Sequence, residues 1–356
     1  MSTITRERAL CMFFYKPYNE ENVISLAKIL EKENLEICYT DEPNEPVLLH
    51  SLSIIHNPFR YRTYICKRTL EPTTANEKTC ALNSAQIVLL LNTVYLPYDP
   101  ENSDLYENKI VTMKQIYCTA LNYSDDLDTK NLNSFIKWCS YKKLDFLQVG
   151  TKRKIDEVDD KKTTRTRSLY VLKDDYLDDV AYKINDYLPS YQNYIKKLKE
   201  EDHTIIGYIR KSPGKEPDDR RRQLLEAMSL NLKERSLVDV VFASPCSQAS
   251  DPMESRDKKQ HALLDQIGVA GSTQDLMKFI ASKNKVCLVT LDYAGLSTNC
   301  LDLKEFLSKK TQIKKIIVDL FPYTNEMTVY DCNQLLEDPG RLKVFNCRKA
   351  FYRRSK

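Results

Sequence analysis

Apolar and polar residues follow each other along the second half of the chain in blocks that predict strands and helices in turn. The β-branched and aromatic run from Thr204 to Ile209 predicts a buried strand. Pro217, followed by two acidic residues, predicts the start of a helix that ends near Arg235. Further blocks predict strands at 238–243, 286–291 and 313–320 and helices at 261–267, 273–282 and 301–309. Because such alternation is typical of parallel sheets with right-handed crossovers, we expect an α/β domain of the doubly wound type.

The first 150 residues carry a different pattern, which predicts an α+β domain. Asn19 precedes helically spaced apolar residues and predicts a helix to about Glu33. Asn83 precedes a very apolar helix that Pro97 ends. The other segments predict strands at 36–40, 47–55 and 61–69 and helices at 105–121 and 132–147. We find no catalytic constellation in this region, and Trp138, the only tryptophan, has the helical spacing of a core residue.

Residues 151–168 are dense in charge and poor in apolar residues, which predicts a flexible linker. The basic residues of this segment resemble a nuclear import signal: Lys152, Arg153, Lys154, Lys161, Lys162, Arg165 and Arg167. A solvated linker that carries no import signal is an equally good interpretation of the same run. We therefore expect a nuclear location if the signal is used and a cytoplasmic one otherwise.

Residues 169–202 are rich in tyrosine at helical spacing and predict a helical connector that is interrupted at Pro189. Two roles fit these tyrosines: a platform on which bases stack, or a brace that packs against a domain. The brace is favoured, because periodic aromatic residues usually mark a buried face. The chain closes with a basic tail, residues 323–356.

Composition narrows the classes of function. A chain of 356 residues suggests two domains, and a net charge of +4 from 54 basic and 50 acidic residues means that any nucleic-acid surface must be a local patch. Eleven cysteines without a C-x-x-C pair, in a chain without a signal peptide, indicate reduced thiols inside a cell. No run is long enough to span a membrane. Metal-ligand spacing is absent, and 7 glycines leave little room for a phosphate loop, so we expect no metal and no cofactor.

The candidate chemistry lies where the strand at 204–209 ends. Arg210 and Ser212 are two residues apart, so in an extended chain their side chains point to the same side. A serine hydroxyl beside a fixed guanidinium suits attack on a phosphate. A serine hydrolase is excluded because His203, at the other end of the strand, lies roughly 30 Å away at about 3.3 Å per residue, and no G-x-S-x-G elbow is present.

The segment Gly207–Ser212 resembles the Tyr-x-Arg-x-Ser motif that opens the catalytic domain of the serine recombinases, the resolvase/invertase family. A second motif agrees in order: Leu291-Asp292 follows the third predicted strand, where the family carries Leu-Asp-Arg-x-x-Arg. The resemblance covers about residues 204–320. It implies a resolvase-like, mostly parallel sheet and a metal-free reaction in which Ser212 attacks a DNA phosphate. It also implies DNA as the partner and a homo-oligomer if the protein is active.

The resemblance assigns roles to further residues. Arg210 and Arg256, the second in a serine-rich loop, would bind the phosphate, and Asp292 would orient the arginines. The run at 220–222 is either a solvated helix face or a phosphate-contacting patch. The DNA-binding set that we expect is Tyr208, Arg220, Arg221 and Arg222.

Two departures from the family pattern bear on activity. Tyr293 and Leu296 stand where the family carries arginines. By analogy with oxyanion-hole donors, each lost donor costs about 2.7–4 kcal/mol of transition-state stabilisation. No helix-turn-helix is evident in the first region, and no long helix follows the domain to grip DNA.

The sequence therefore predicts five segments: an α+β domain of unknown role at 1–150, a charged linker at 151–168, a helical connector at 169–202, a resolvase-like domain at 203–322 and a basic tail at 323–356. The function that we expect is DNA strand cleavage and exchange through a phosphoserine intermediate, in a protein derived from a mobile element. The alternative is a degenerate recombinase domain that binds DNA or a protein without catalysis. A weaker third class is a phosphate-ester hydrolase that uses the same serine.

Overall fold

The structure is a computed structural model that describes residues 4–68, 81–155, 163–259, 261–320 and 327–346. The chain divides into two compact units, residues 1–187 and residues 188–356. Within the described residues, no helix is both long and apolar enough to cross a membrane.

The first unit opens with a small antiparallel sheet and the helices packed around it. Strand β1 (Leu35–Tyr39) lies between β2 (Val47–His50) and β3 (Arg62–Thr63). The helices are α1 (Arg6–Phe13), α2 (Glu20–Lys32) and α3 (Ser51–His56). The side chain of Asn19 accepts a hydrogen bond from the N–H of Asn22, which confirms the predicted helix start. The predicted strand at 47–55 is half wrong, because the chain turns into α3 at Ser51.

The second sheet of this unit contains the segment that the sequence predicts as a linker. Its strands are β4 (Tyr95–Leu96), β5 (Tyr106–Thr112), β6 (Lys152–Ile155) and β7 (Thr163–Leu172), and its helices are α4 (Ser84–Val94), α5 (Met113–Leu121) and α6 (Leu132–Lys142). Strand β7 pairs with β4 and β6 on one side and with β5 on the other. The flexible-linker prediction is therefore wrong over 152–155 and 163–168, because backbone pairing on both sides holds a strand that is poor in apolar residues.

One further prediction about this region needs correction. The helix predicted at 105–121 is a strand followed by a helix, because Thr112 and Gln115 form a capping box that starts α5. The basic run belongs partly to this sheet: Arg167 lies in β7 and donates from Nε to the carbonyl of Val149. Lys161 and Lys162 lie outside the described residues.

Helix α7 (Asp174–Glu200) continues through Pro189, where the sequence predicts an interruption. The predicted connector at 169–202 starts too early, because residues 169–172 belong to β7. The boundary between the two units falls within this helix. Tyr176, Tyr191 and Tyr194 are buried, which agrees with packing and leaves no platform for bases at these three positions.

The second unit is a five-stranded, mostly parallel sheet flanked by helices. Its strands are β8 (Thr204–Arg210), β9 (Val240–Ser244), β10 (Val286–Thr290), β11 (Ile313–Asp319) and β12 (Met327–Asp331), in the order β12–β11–β10–β8–β9. Strands β8 to β11 are parallel, and β12 pairs antiparallel with β11. The helices are α8 (Asp218–Arg235), α9 (Thr273–Ala281), α10 (Tyr293–Leu296), α11 (Cys300–Lys309), α12 (Cys332–Glu337) and α13 (Pro339–Leu342).

This order confirms the α/β class and corrects the predicted end of the domain. The segment predicted as a basic tail supplies β12 and two short helices to the unit. Residues 347–356, which hold Arg348, Lys349, Arg353, Arg354 and Lys356, lie outside the described residues. Chain order reverses at β8, since β9 lies on one side of it and β10 on the other. In sheets of this kind, ligands bind at the carboxyl ends of the strands beside such a reversal.

Gly207 lets α8 approach β8 closely. A Cβ atom at position 207 would lie 2.9 Å from Cδ1 of Leu232 and 3.3 Å from Val238 and Val241 side-chain atoms. The absence of a side chain therefore fixes the packing of α8 against β8, the strand that carries Arg210.

Candidate functional site

Arg210 and Ser212 lie together at the carboxyl end of β8, as their spacing predicts. Arg210 is the last residue of the strand and is fully buried, whereas Ser212 is half-buried. Nη1 of Arg210 donates a hydrogen bond to Oγ of Ser212 at 3.0 Å. A permanent positive charge therefore lies directly against the hydroxyl, where it favours the charged alkoxide form.

The same guanidinium is fixed by the loops that follow the two neighbouring strands. Nη1 also donates to the carbonyl of Ser247, which follows β9. Nε and Nη2 donate to the carbonyl of Ala294, which follows β10, at 3.1 and 2.7 Å. Arg210 thus ties three strand ends together, and the orientation of its contact with Ser212 is set by the sheet.

The backbone around Ser212 is held as firmly as the Arg210 side chain. The N–H of Lys211 donates to the carbonyl of Ser244 at 2.9 Å, and the N–H of Ser247 donates to the carbonyl of Lys211 at 3.2 Å. Nη1 of Arg221 donates to the carbonyl of Ser212 at 3.0 Å and to that of Pro245 at 2.8 Å. The serine is therefore presented by a fixed turn.

Arg221 is a buried anchor and not a DNA contact, which corrects the prediction for it. Its side chain is only 5% exposed and forms an ion pair with Glu216 at 2.9 Å. Lys211 contacts the same carboxylate at 2.8 Å. The hydrogen bond from Lys211, together with backbone hydrogen bonding, lowers the pKa of Glu216 below its ordinary value. Glu216 thus bridges Lys211 and α8 through two ion pairs.

Tyr208, which the sequence predicts to contact DNA, and Arg256, which it predicts to bind the phosphate, are also buried. Neither side chain is exposed for the contact predicted for it. The Tyr208 hydroxyl pairs with Oγ1 of Thr273 at 2.9 Å and accepts from Nη1 of Arg256 at 3.3 Å. Arg256 is 2% exposed and donates to the carbonyls of Ala249, Asp251 and Leu296. Because these carbonyls occupy its N–H groups, Arg256 stabilises the serine-rich loop from within.

Asp292 acts on Arg210 through a short helix. It is 6% exposed, and its carboxylate accepts a hydrogen bond from the N–H of Gly295 at the start of α10. This cap fixes the turn that carries Ala294, the residue whose carbonyl receives Arg210. In the structure, Asp292 is therefore connected to Arg210 through the backbone of α10, and its orienting role stays a prediction.

Tyr293 and Leu296, at the positions where the serine recombinases carry arginines, pack against the interior of the unit. The Tyr293 hydroxyl pairs with that of Tyr330 at 2.8 Å, and its ring packs edge-on against Phe345 at 5.2 Å. Leu296 is fully buried. Tyr293 is partly buried and packs against the core that contains Leu296, so neither position is shaped for a cation at the site.

The remaining predicted cations lie on the surface of α8. Arg220 is exposed and donates to Gln223 at 3.2 Å. Arg222 is half-buried and forms an ion pair with Glu226 at 2.8 Å. Of the predicted arginine run, Arg220 and Arg222 thus fit a solvated helix face, and Arg221 does not.

A polar cluster that the sequence reasoning missed adjoins this site. Oγ of Ser244, at the end of β9, pairs with Oγ of Ser247 at 2.7 Å and donates to Asp257 at 3.0 Å. Asp257 also accepts from the N–H and hydroxyl of Thr273. The only sequence signal was the Ser-Pro-x-Ser stretch directly after a predicted strand. Among the residues that the structure describes, no group of histidine, cysteine, aspartate and glutamate is arranged to hold a metal ion.

Comparisons of this chain with protein-family models, with curated proteins and with solved structures found no significant match. The resemblance to serine recombinases therefore rests on the two short motifs and their order along the chain.

Proposed function

We propose that the second unit cleaves DNA strands with Ser212 as the nucleophile, as a divergent serine recombinase. The observation that carries the proposal is the 3.0 Å hydrogen bond from buried Arg210 to the half-buried Ser212 hydroxyl at a strand-order reversal. A nucleophile, an adjacent cation and a location that suits ligand binding coincide at this one point.

In the proposed reaction, Oγ of Ser212 forms a bond to a DNA phosphorus as the bond from phosphorus to a deoxyribose oxygen breaks. The hydroxyl proton of Ser212 passes to solvent water, and the departing sugar oxygen takes up a proton from water, so that no net proton is gained or lost. Arg210 stabilises the negative charge that develops on Oγ during the attack. The product is a DNA end joined to Ser212 as a phosphodiester. Attack on this phosphodiester by the original sugar hydroxyl reverses the cleavage, and attack by the sugar hydroxyl of another strand exchanges the strands.

A second candidate is a domain that binds DNA and does not cut it. The specific observation in its favour concerns Tyr293, which stands where the serine recombinases carry a catalytic arginine. Its hydroxyl is hydrogen-bonded to that of Tyr330. Arg256, buried among carbonyls, does not replace that arginine. Exposed Arg220 remains available for a phosphate contact.

The experiment that tests the proposal is a nicking assay on supercoiled plasmid that is analysed under denaturing conditions. The first candidate predicts nicked DNA that carries covalently bound protein, and loss of both in Ser212→Ala. Ser250→Ala, an exposed serine of the loop after β9, is the matched control and should behave as wild type. Retention of DNA without nicking, weakened steeply by salt, supports the binding candidate and removes the catalytic one.

A further inference from the structure

Strand β5 forms an edge of the second sheet in the first unit, with β7 along only one of its sides within the described residues. The N–H of Lys173 donates to the carbonyl of Leu105 at 2.9 Å, which extends the ladder between these two strands. In an antiparallel ladder, alternate residues point their backbone groups to the partner. The odd-numbered residues of β5 therefore face β7, and the even-numbered residues face away from it.

The outer edge of β5 has two backbone N–H groups that remain open in its middle. At its ends, the N–H of Tyr106 donates to the carbonyl of Asn102, and the N–H of Thr112 donates to Oε1 of Gln115. Between them, the N–H groups of Asn108 and Ile110 make no hydrogen bond within the described part of the chain, and both residues are exposed. Open groups on an exposed strand edge are a template for pairing with another strand.

The charges on this strand select one way of pairing it with itself. Glu107 and Lys109 form an ion pair within the strand at 2.7 Å, and their side chains are 44% and 41% exposed. An antiparallel two-fold pairing centred on Asn108 sets Glu107 of each copy opposite Lys109 of the other. A pairing centred on either charged residue would set like charges face to face, which is unfavourable.

We propose that β5 is a self-association edge that pairs antiparallel with β5 of a second copy of this chain, centred on Asn108. Four backbone hydrogen bonds form in this register: from each Asn108 N–H to the Asn108 carbonyl of the other copy, and from each Ile110 N–H to the Tyr106 carbonyl of the other copy. Ile110, 63% exposed in the single chain, is covered by the opposing Tyr106. The two Glu107–Lys109 pairs lie on either side of Asn108 and favour pairing with another copy of β5 over pairing with other strands.

The proposal does not depend on the chemistry of the second unit. Charged residues on an edge strand commonly prevent pairing with another strand. The order Glu107-Asn108-Lys109 is an exception, because two antiparallel copies of it place opposite charges next to each other.

The test is sedimentation velocity of the full chain over a range of concentrations, with Glu107→Lys and Lys109→Glu as separate variants. Each variant sets two like-charged pairs in the proposed register, so the dimer dissociation constant should rise about tenfold or more. An equimolar mixture of the two variants should associate again, because lysines of one chain then face glutamates of the other. The double variant that exchanges both charges should associate as wild type does.

Lys309→Glu, the same charge change on α11 of the second unit, is the control and should leave association unchanged. Amide exchange at Asn108 and Ile110 should slow as the protein concentration rises. A wild-type chain that stays monomeric throughout overturns the proposal, and so does failure of the mixed variants to associate while each keeps its thermal midpoint.

Discussion

Arg221 donates a hydrogen bond to the backbone carbonyl of Ser212 at 3.0 Å, and it does so from a side chain that is only 5% exposed. Arg221, which the sequence predicts to bind DNA, therefore holds the backbone of Ser212, the proposed nucleophile. With Arg210 on the hydroxyl and Arg221 on the carbonyl, Ser212 is held by two cations from two different elements.

The anchoring role of Arg221 predicts a large difference between neighbouring arginines. Arg221→Met should lower the free energy of unfolding by about 2–3 kcal/mol, because the carbonyls of Ser212 and Pro245 lose a buried donor. Arg220→Met, on the exposed face of α8, should stay within about 0.5 kcal/mol of wild type. Urea unfolding of both variants checks this, and equal stabilities would show that Arg221 does not anchor the turn.

Glu216 predicts a pH dependence of the same region. Its pKa lies below the ordinary value of 4.5 because Lys211 and Arg221 favour the ionised form. A depressed pKa in the folded state contributes stability above the unfolded pKa, and this contribution is lost as pH falls through the folded value. The thermal midpoint of wild type should therefore exceed that of Glu216→Gln at neutral pH, and the two should converge as the pH falls from 4.5 through the lower folded-state pKa. A gap that stays constant down to strongly acidic pH would contradict the assignment.

The packing of α10 predicts that an arginine cannot simply be introduced at the position where the serine recombinases carry one. Leu296→Arg should lower the free energy of unfolding by about 3 kcal/mol or more, because the new charge would be buried without a partner. Leu301→Arg is the matched control, since Leu301 is 82% exposed, and it should be nearly neutral. If Leu296→Arg proves as stable as wild type, the position opens to the site and an arginine can serve there.

The parts of the fold that the sequence predicts well are those set by local periodicity and capping. The run from Thr204 to Ile209 forms β8, and the proline-acid start at Pro217 opens α8 as predicted. The spacing of Arg210 and Ser212 also predicts their contact, because residues two apart on an extended chain share a side.

The parts that the sequence does not predict depend on distant backbone groups. Arg256 is buried because carbonyls at 249, 251 and 296 accept from it, and no local pattern announces such acceptors. The polar stretch at 163–168 is a strand because β5 and β6 pair with its backbone, which side-chain patterning does not record. The antiparallel strand β12 lies in a segment whose charges suggest a tail.

The central claim is that Ser212 forms a covalent bond to DNA, and mass spectrometry of the Ser212 peptide tests it most directly. The wild-type chain is incubated with sheared genomic DNA, denatured and digested with nuclease and protease. Ser212→Ala and Ser250→Ala are treated in parallel. The account predicts a nucleotide adduct on the peptide that contains Ser212, present in wild type and Ser250→Ala and lost in Ser212→Ala. Absence of any adduct on that peptide, from protein that is folded and retains DNA, would contradict the claim and leave a domain that binds DNA without cutting it.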